Sequence, residues 1–180
     1  MIGLKRGTVK LTDHQVEWEE NAGKTMETLK RLLGSAAIDI QHIGSTAIPS
    51  IHAKPIIDIV VGVYDLNDMI PHIEILGQNG FVFRGADVSG QVLFVMGDFG
   101  NDLRTHHIHV VKWNGKEWND YINFRDYLNA FPEKASLYDD CKQKLAERFS
   151  DDRGQYTDGK KELIRCFLEE AKIWKSEGME

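Results

Sequence analysis

Three side chains in this sequence are set for chemistry by type and spacing: Asp58, His107 and His109. Asp58 interrupts an otherwise apolar run, Ile56-Ile57-Asp58-Ile59-Val60-Val61-Gly62-Val63. A carboxylate buried there costs several kcal/mol unless it is paired or holds a metal. His107 and His109 alternate, so on a strand both imidazoles point to one side, with Arg104 and His106 flanking them. Imidazoles at that spacing can ligate zinc or a similar ion beside Asp58, contact phosphate when protonated, or act as a general base. The competing reading makes one of them a hydrogen-bonded core histidine, with Asp58 in an ion pair to Lys54 or to a histidine. Upstream stands His42-Ile43-Gly44-Ser45-Thr46. Gly44 allows a close approach of backbone to a bulky ligand, and Ser45 and Thr46 offer hydroxyl and amide donors to phosphate oxygens. Lys54 either reaches a phosphate as a point charge or is a loop lysine ordered by Pro55.

A Gly-Ser turn, a short gap and an acidic strand resemble the nucleotidyltransferase fold of the DNA polymerase beta superfamily. In that fold the turn holds a nucleotide's phosphates and strand carboxylates hold magnesium. This chain departs from the pattern at Val60, where a second carboxylate is expected. Longer strings are narrower in what they match. His42-Ile43-Gly44-Ser45-Thr46-Ala47-Ile48-Pro49 and Ala53-Lys54-Pro55-Ile56-Ile57-Asp58-Ile59 resemble the GrpB signature. So, in order, do Arg104-Thr105-His106-His107-Ile108-His109-Val110-Val111, then Phe124-Arg125-Asp126-Tyr127-Leu128, then Tyr156-Thr157-Asp158-Gly159-Lys160. The resemblance implies a nucleotidyltransferase-like protein and adds Arg125, Tyr156 and Lys160 to the candidates. Arg125 suits a bidentate phosphate contact or a surface Arg-Asp network. Lys160 lies where a helix begins, and Tyr156 is placed either to stack on a base or to anchor the core.

With 180 residues, 42% hydrophobic content and four tryptophans, the expectation is one domain over 1–180. A net charge of -6 argues against general nucleic-acid binding but leaves room for a nucleotide met by a few local cations. Cys141 and Cys166 have no partner at metal-binding spacing and read as reduced thiols. No apolar run approaches the ~20 residues of a membrane span, so the cytoplasm is the expected location and no membrane partner is expected.

The elements that must position these residues follow from periodicity. Thr12 with Gln15 reads as a capping box for a helix whose apolar face runs through Trp18, Ala22, Met26, Leu29 and Leu33 to Gly34. Residues 38–42 and 56–63 read as strands, and 66–76 as a second amphipathic helix. Residues 81–84, 92–96 and 105–111 read as a meander, followed by helices over 118–130, 132–149 and 158–174, the last capped by Asp158. Residues 151–154 read as a mobile polar loop. The class is α+β: a nucleotidyltransferase-like mixed β-sheet with packed helices and a helical C-terminal third.

The functional expectation is binding of a nucleotide or other phosphorylated small molecule, with Asp58, His107 and His109 as catalytic and metal residues. Gly44, Ser45, Thr46, Lys54, Arg104, Arg125, Tyr156 and Lys160 are expected on the phosphate or nucleotide. Two alternatives stand beside it. One is a non-catalytic regulatory or folding module connected with coenzyme A synthesis, since GrpB-like domains occur fused to dephospho-CoA kinases. The other is a histidine-centred metalloenzyme. Magnesium, manganese and zinc are the candidate ions.

Overall fold

The computed structural model describes residues 2–86 and 90–178. Its centre is a five-stranded mixed sheet in the order β2-β3-β7-β5-β4, made of Asp39–Ile43 (β2), Ile57–Val63 (β3), His106–Lys112 (β7), Gln91–Met96 (β5) and Val82–Gly85 (β4). A separate two-stranded ribbon pairs Leu4–Lys5 (β1) with Leu103–Arg104 (β6). β3 runs antiparallel to β2 and parallel to β7; β5 is antiparallel to both of its neighbours. β3 is flanked on both sides, which explains why its sequence is nearly all apolar.

One face of the sheet carries Ile57, Ile59, Val61, Ile108, Val110 and Phe94, all buried against the helix Val16–Leu33 (α1). Trp18, Ala22, Leu29 and Leu33 supply the helix side of that core at helical spacing, and Gly34 ends the helix at φ 52°. The expected Thr12–Gln15 capping box is absent. Thr12 bridges Ala53 through its backbone and Gln15 occupies the cap with its side chain turned back to the Asp13 carbonyl, so strand-like pairing outcompetes the local cap. The expected helix over 66–76 is split: Leu66–His72 is a 3-10 turn with a reciprocal Asp65–Asp68 cap, and Ile73–Gln78 (α2) follows. Pro71 has no N–H to give to an α-helical ladder, which accounts for the break.

The opposite face carries Asp58, His107 and His109. It is covered by Lys116–Ala130 (α3), which packs on β2, β3 and β7, and beyond it by Pro132–Arg148 (α4), Arg153–Gly159 (α5) and Lys161–Ser176 (α6). A second core, including Ile48, Leu128, Tyr138 and Phe167, binds these helices to the segment after the Gly44 turn. Arg153 opens a helix capped by Asp152, which accepts from Gln155 N at 3.0 Å, so the stretch expected as a polar loop is half helical. Asp158 consequently falls inside α5, and Lys160 takes the cap position of α6. No described helix is long and apolar enough to cross a membrane.

Candidate functional site

Register alone brings the acid and the imidazoles together. Asp58 is paired with His107 across the parallel β3–β7 ladder, and Val60 with His109. His107 Nδ1 lies 3.1 Å and His109 Nε2 3.6 Å from Asp58 Oδ1. Burial pushes the Asp58 carboxyl up, but the hydrogen bonds and charges of His107 and His109 outweigh it and hold the group well below the usual carboxylate range. Tyr121 on α3 donates its hydroxyl to Gln91 Oε1 at 2.9 Å and lies 3.3 Å from His109 Nδ1.

On the other flank Ile43 is paired with Asp58, so the Gly44 turn begins beside the acid. Gly44 sits at φ 72°, ψ -172°, a region open in practice to glycine alone. A Cβ there would lie 2.7 Å from Asp58 Oδ2 and 3.1 Å from Asp58 Cβ. A close approach that requires a glycine is therefore already made to Asp58. Thr46 is buried and bonds His42 Nε2 at 2.9 Å, while Ser45 bonds the Tyr138 hydroxyl. Burial lowers His42 to about 4 and likewise His106 to about 4.

Asp58, His107, His109 and the Gly44-Ser45-Thr46 turn share one hollow of about 440 Å³ with Lys54, Lys160 and Arg153. Burial, with Arg153 and Lys160 nearby, lowers Lys54 to about 7; burial lowers Lys160 to about 8 even though Asp58 pulls the other way. Both ammonium groups sit over the Tyr156 ring, at 5.3 and 4.5 Å. Tyr156 is 1% exposed, so its ring seats cations and offers no free face for a base to stack on. Lys54 makes no ion pair with Asp58 among the described residues. Two expected residues are not at this hollow. Arg125 is tied to Asp126, to Gln41 Oε1 and to the His42 carbonyl, the latter two at 2.9 Å, and so braces β2 from α3. Arg104 lies in β6, around the corner in a neighbouring hollow.

The donor set decides which ion it suits. One ligand atom from each of Asp58, His107 and His109 lies within 4.8 Å of the others. Two imidazoles and one carboxylate fit a single zinc- or manganese-type ion. They do not fit a pair of magnesium ions, which want more oxygen donors than this strand offers with Val60 in the alternate position. Arg153, Tyr121 and Tyr138 went unrecognised in the sequence; none carries a local motif, and long-range helix packing delivers each.

The GrpB family model, described as GrpB protein, matches residues 8–170. The chain belongs to the GrpB family. This GrpB chain is 39% identical over 173 residues to the glutamate-rich protein GrpB of Alkalihalophilus pseudofirmus, covering 94% of this chain and 99% of that one. It is 24% identical over 197 residues to a dephospho-CoA kinase of Mycolicibacterium paratuberculosis, covering 95% of this chain but 48% of the kinase. A crystal structure of the conserved protein GrpB from Enterococcus faecalis superposes with TM-score 0.83 at 30% identity, over 92% of this chain and 99% of that one. The Cid1 poly(U) polymerase with MgGTP superposes with TM-score 0.53 at 12% identity, over 76% of this chain and 44% of the polymerase. That likeness identifies the fold as nucleotidyltransferase-like.

Proposed function

We propose that this GrpB protein binds a nucleotide or another phosphorylated small molecule in the Asp58 hollow, together with one divalent ion. The observation that carries the reading is the charge layout. Lys54, Lys160 and Arg153 line the same hollow as the acid and its two imidazoles. Clustered cations with depressed lysines repel one another until an anion enters, and an Asp-His-His set would hold a divalent metal beside it. Asp58, His107 and His109 would hold the ion, which supplies Lewis-acid polarisation of a phosphoryl oxygen when bound. Lys54 and Lys160 would hold the phosphates, with Ser45 and Thr46 at the turn, and transfer of a nucleotidyl or phosphoryl group is the reaction such a layout suits. A single ion with histidine ligands also keeps open the histidine-centred metalloenzyme reading.

A second reading is favoured by Val60 and by the match to half of a dephospho-CoA kinase. In it the protein is a phosphometabolite-binding module without turnover, connected with coenzyme A synthesis. Titration calorimetry with ATP, GTP, CTP, UTP and dephospho-CoA, each with zinc, manganese or magnesium, tests both. Heat that disappears in Lys160→Gln supports the hollow, and product formation lost in Asp58→Asn supports catalysis. No heat with any pair in folded protein refutes the binding proposal.

A further inference from the structure

The sheet face that carries Asp58 does not stop at His107. Val95 is paired with His107 and Leu93 with His109, so β5 continues that face toward β4. There a second hollow of about 270 Å³ opens, lined by Arg6, Arg84, Arg104 and Arg153 over Leu93 and Val95, with His107 and Arg153 forming the wall it shares with the Asp58 hollow. The chain has 28 acidic against 22 basic residues, yet no carboxylate lines this hollow among the described residues. The four guanidinium groups come from separate segments: after β1, from β4, from β6 and from the first turn of α5. Chance proximity on one helix face does not produce such a set.

Two of the four are pre-set. The Arg84 and Arg104 guanidinium carbons lie 5.4 and 4.7 Å from the centre of the Phe99 ring, which fixes them by stacking; Arg104 Nη1 also donates to the Leu103 carbonyl at 3.3 Å, and its other N–H groups have no hydrogen-bond partner among the described residues. Arg104 is 9% exposed, and its nearest carboxylate, Asp102 Oδ1, stands 3.7 Å away, at the outer limit of an ion pair. Arg6, Arg84 and Arg153 have no ion pair among the described residues. A buried guanidinium beside three like charges is costly without an anion, and arginine forks match phosphate oxygens in pairs.

We infer that the Arg6-Arg84-Arg104-Arg153 hollow is a second anion subsite, built for a phosphomonoester or polyphosphate group and separate from the Asp58 hollow. Its position next to His107 suits either the far end of a ligand seated at Asp58 or a phosphorylated second substrate. The subsite does not depend on a nucleotide entering the first hollow.

The test is calorimetric titration of inorganic tripolyphosphate, without divalent metal, into Lys54→Gln/Lys160→Gln protein, which removes both lysines of the first hollow. Arg6 and Arg84 are exposed, so Arg6→Gln and Arg84→Gln leave the core intact, as circular dichroism will confirm. Each is expected to weaken the remaining tripolyphosphate binding by about tenfold, and the double variant by about a hundredfold. Unchanged affinity in the double variant overturns the inference. Arg-dependent tripolyphosphate binding alongside no nucleotide binding leaves this subsite standing while the nucleotide proposal falls.

Discussion

Replacing Gly44 by alanine tests whether that glycine exists to seat Asp58. Two costs follow from the geometry. At φ 72°, ψ -172° a residue with a Cβ is strained by about 1–3 kcal/mol. The new methyl would also stand 2.7 Å from Asp58 Oδ2, so the carboxylate must swing away and lose the 3.1 Å bond from His107, at about 1–3 kcal/mol. The expected destabilisation is therefore ~2–6 kcal/mol, the sum of those ranges. Urea unfolding followed by circular dichroism measures it. The decisive comparison is a double-mutant cycle with Asp58→Ala, which removes Oδ2 and the His107 bond but keeps the backbone strain. The Gly44→Ala penalty should shrink by ~1–3 kcal/mol in that background. Additivity within about 0.5 kcal/mol would refute the idea that glycine is needed there for the acid.

Stability should rise with pH from about 4 to 9, in two parts. His42 and His106 titrate near 4 in the folded protein and near their ordinary value unfolded, so the unfolded chain binds more protons in between and acid unfolds the protein across that window. Lys54, Lys142 and Lys160, lowered to about 7, 8 and 8, do the same on the alkaline side, so a melting temperature at pH 9 no higher than at pH 7 contradicts their burial. Asp139 holds His52 through its backbone N at 2.8 Å and its Nδ1 at 2.7 Å, and lies 3.5 Å from Lys142, which is 1% exposed and donates to the His52 carbonyl. Asp139→Asn leaves that ammonium without a counter-charge, and chemical denaturation should register a loss of about 3–5 kcal/mol. Gly62→Ala puts a Cβ 2.8 Å from Trp113 Cδ1 and 2.9 Å from Trp118 Cζ3, both ring atoms, so it should cost ~1–3 kcal/mol by overpacking, with a blue- or red-shifted tryptophan emission as its marker.

The residues legible in the sequence were those whose geometry period two dictates. Alternation alone puts His107 and His109 on one side of a strand and Asp58 on one side of another. Which neighbours those strands choose is a matter of register, and the β3–β7 ladder is what places Asp58 opposite His107. Local signals misled where a tertiary partner competed for the same backbone. Thr12 gives its N–H to Ala53 instead of starting a cap, and Pro71 divides an amphipathic stretch that otherwise scans as one helix. Arg153 looked like part of a mobile loop because its helix has a single turn or two and takes its cap from Asp152, inside the very run that read as polar. Tyr121 and Tyr138 carry no motif and reach the site only because α3 and α4 pack over the sheet and the Gly44 turn. Arg104 and Arg125 had the right chemistry; the fold sends one to the adjoining hollow and engages the other in bracing β2.

The most direct test of the proposed site is anomalous diffraction from crystals grown with manganese and a non-hydrolysable nucleoside triphosphate. A single peak is expected within about 2.0–2.3 Å of one atom from each of Asp58, His107 and His109, with phosphate density between it and Lys160. A metal peak elsewhere, or Asp58 still bonded to His107 with the nucleotide absent at saturating concentration, would contradict the account.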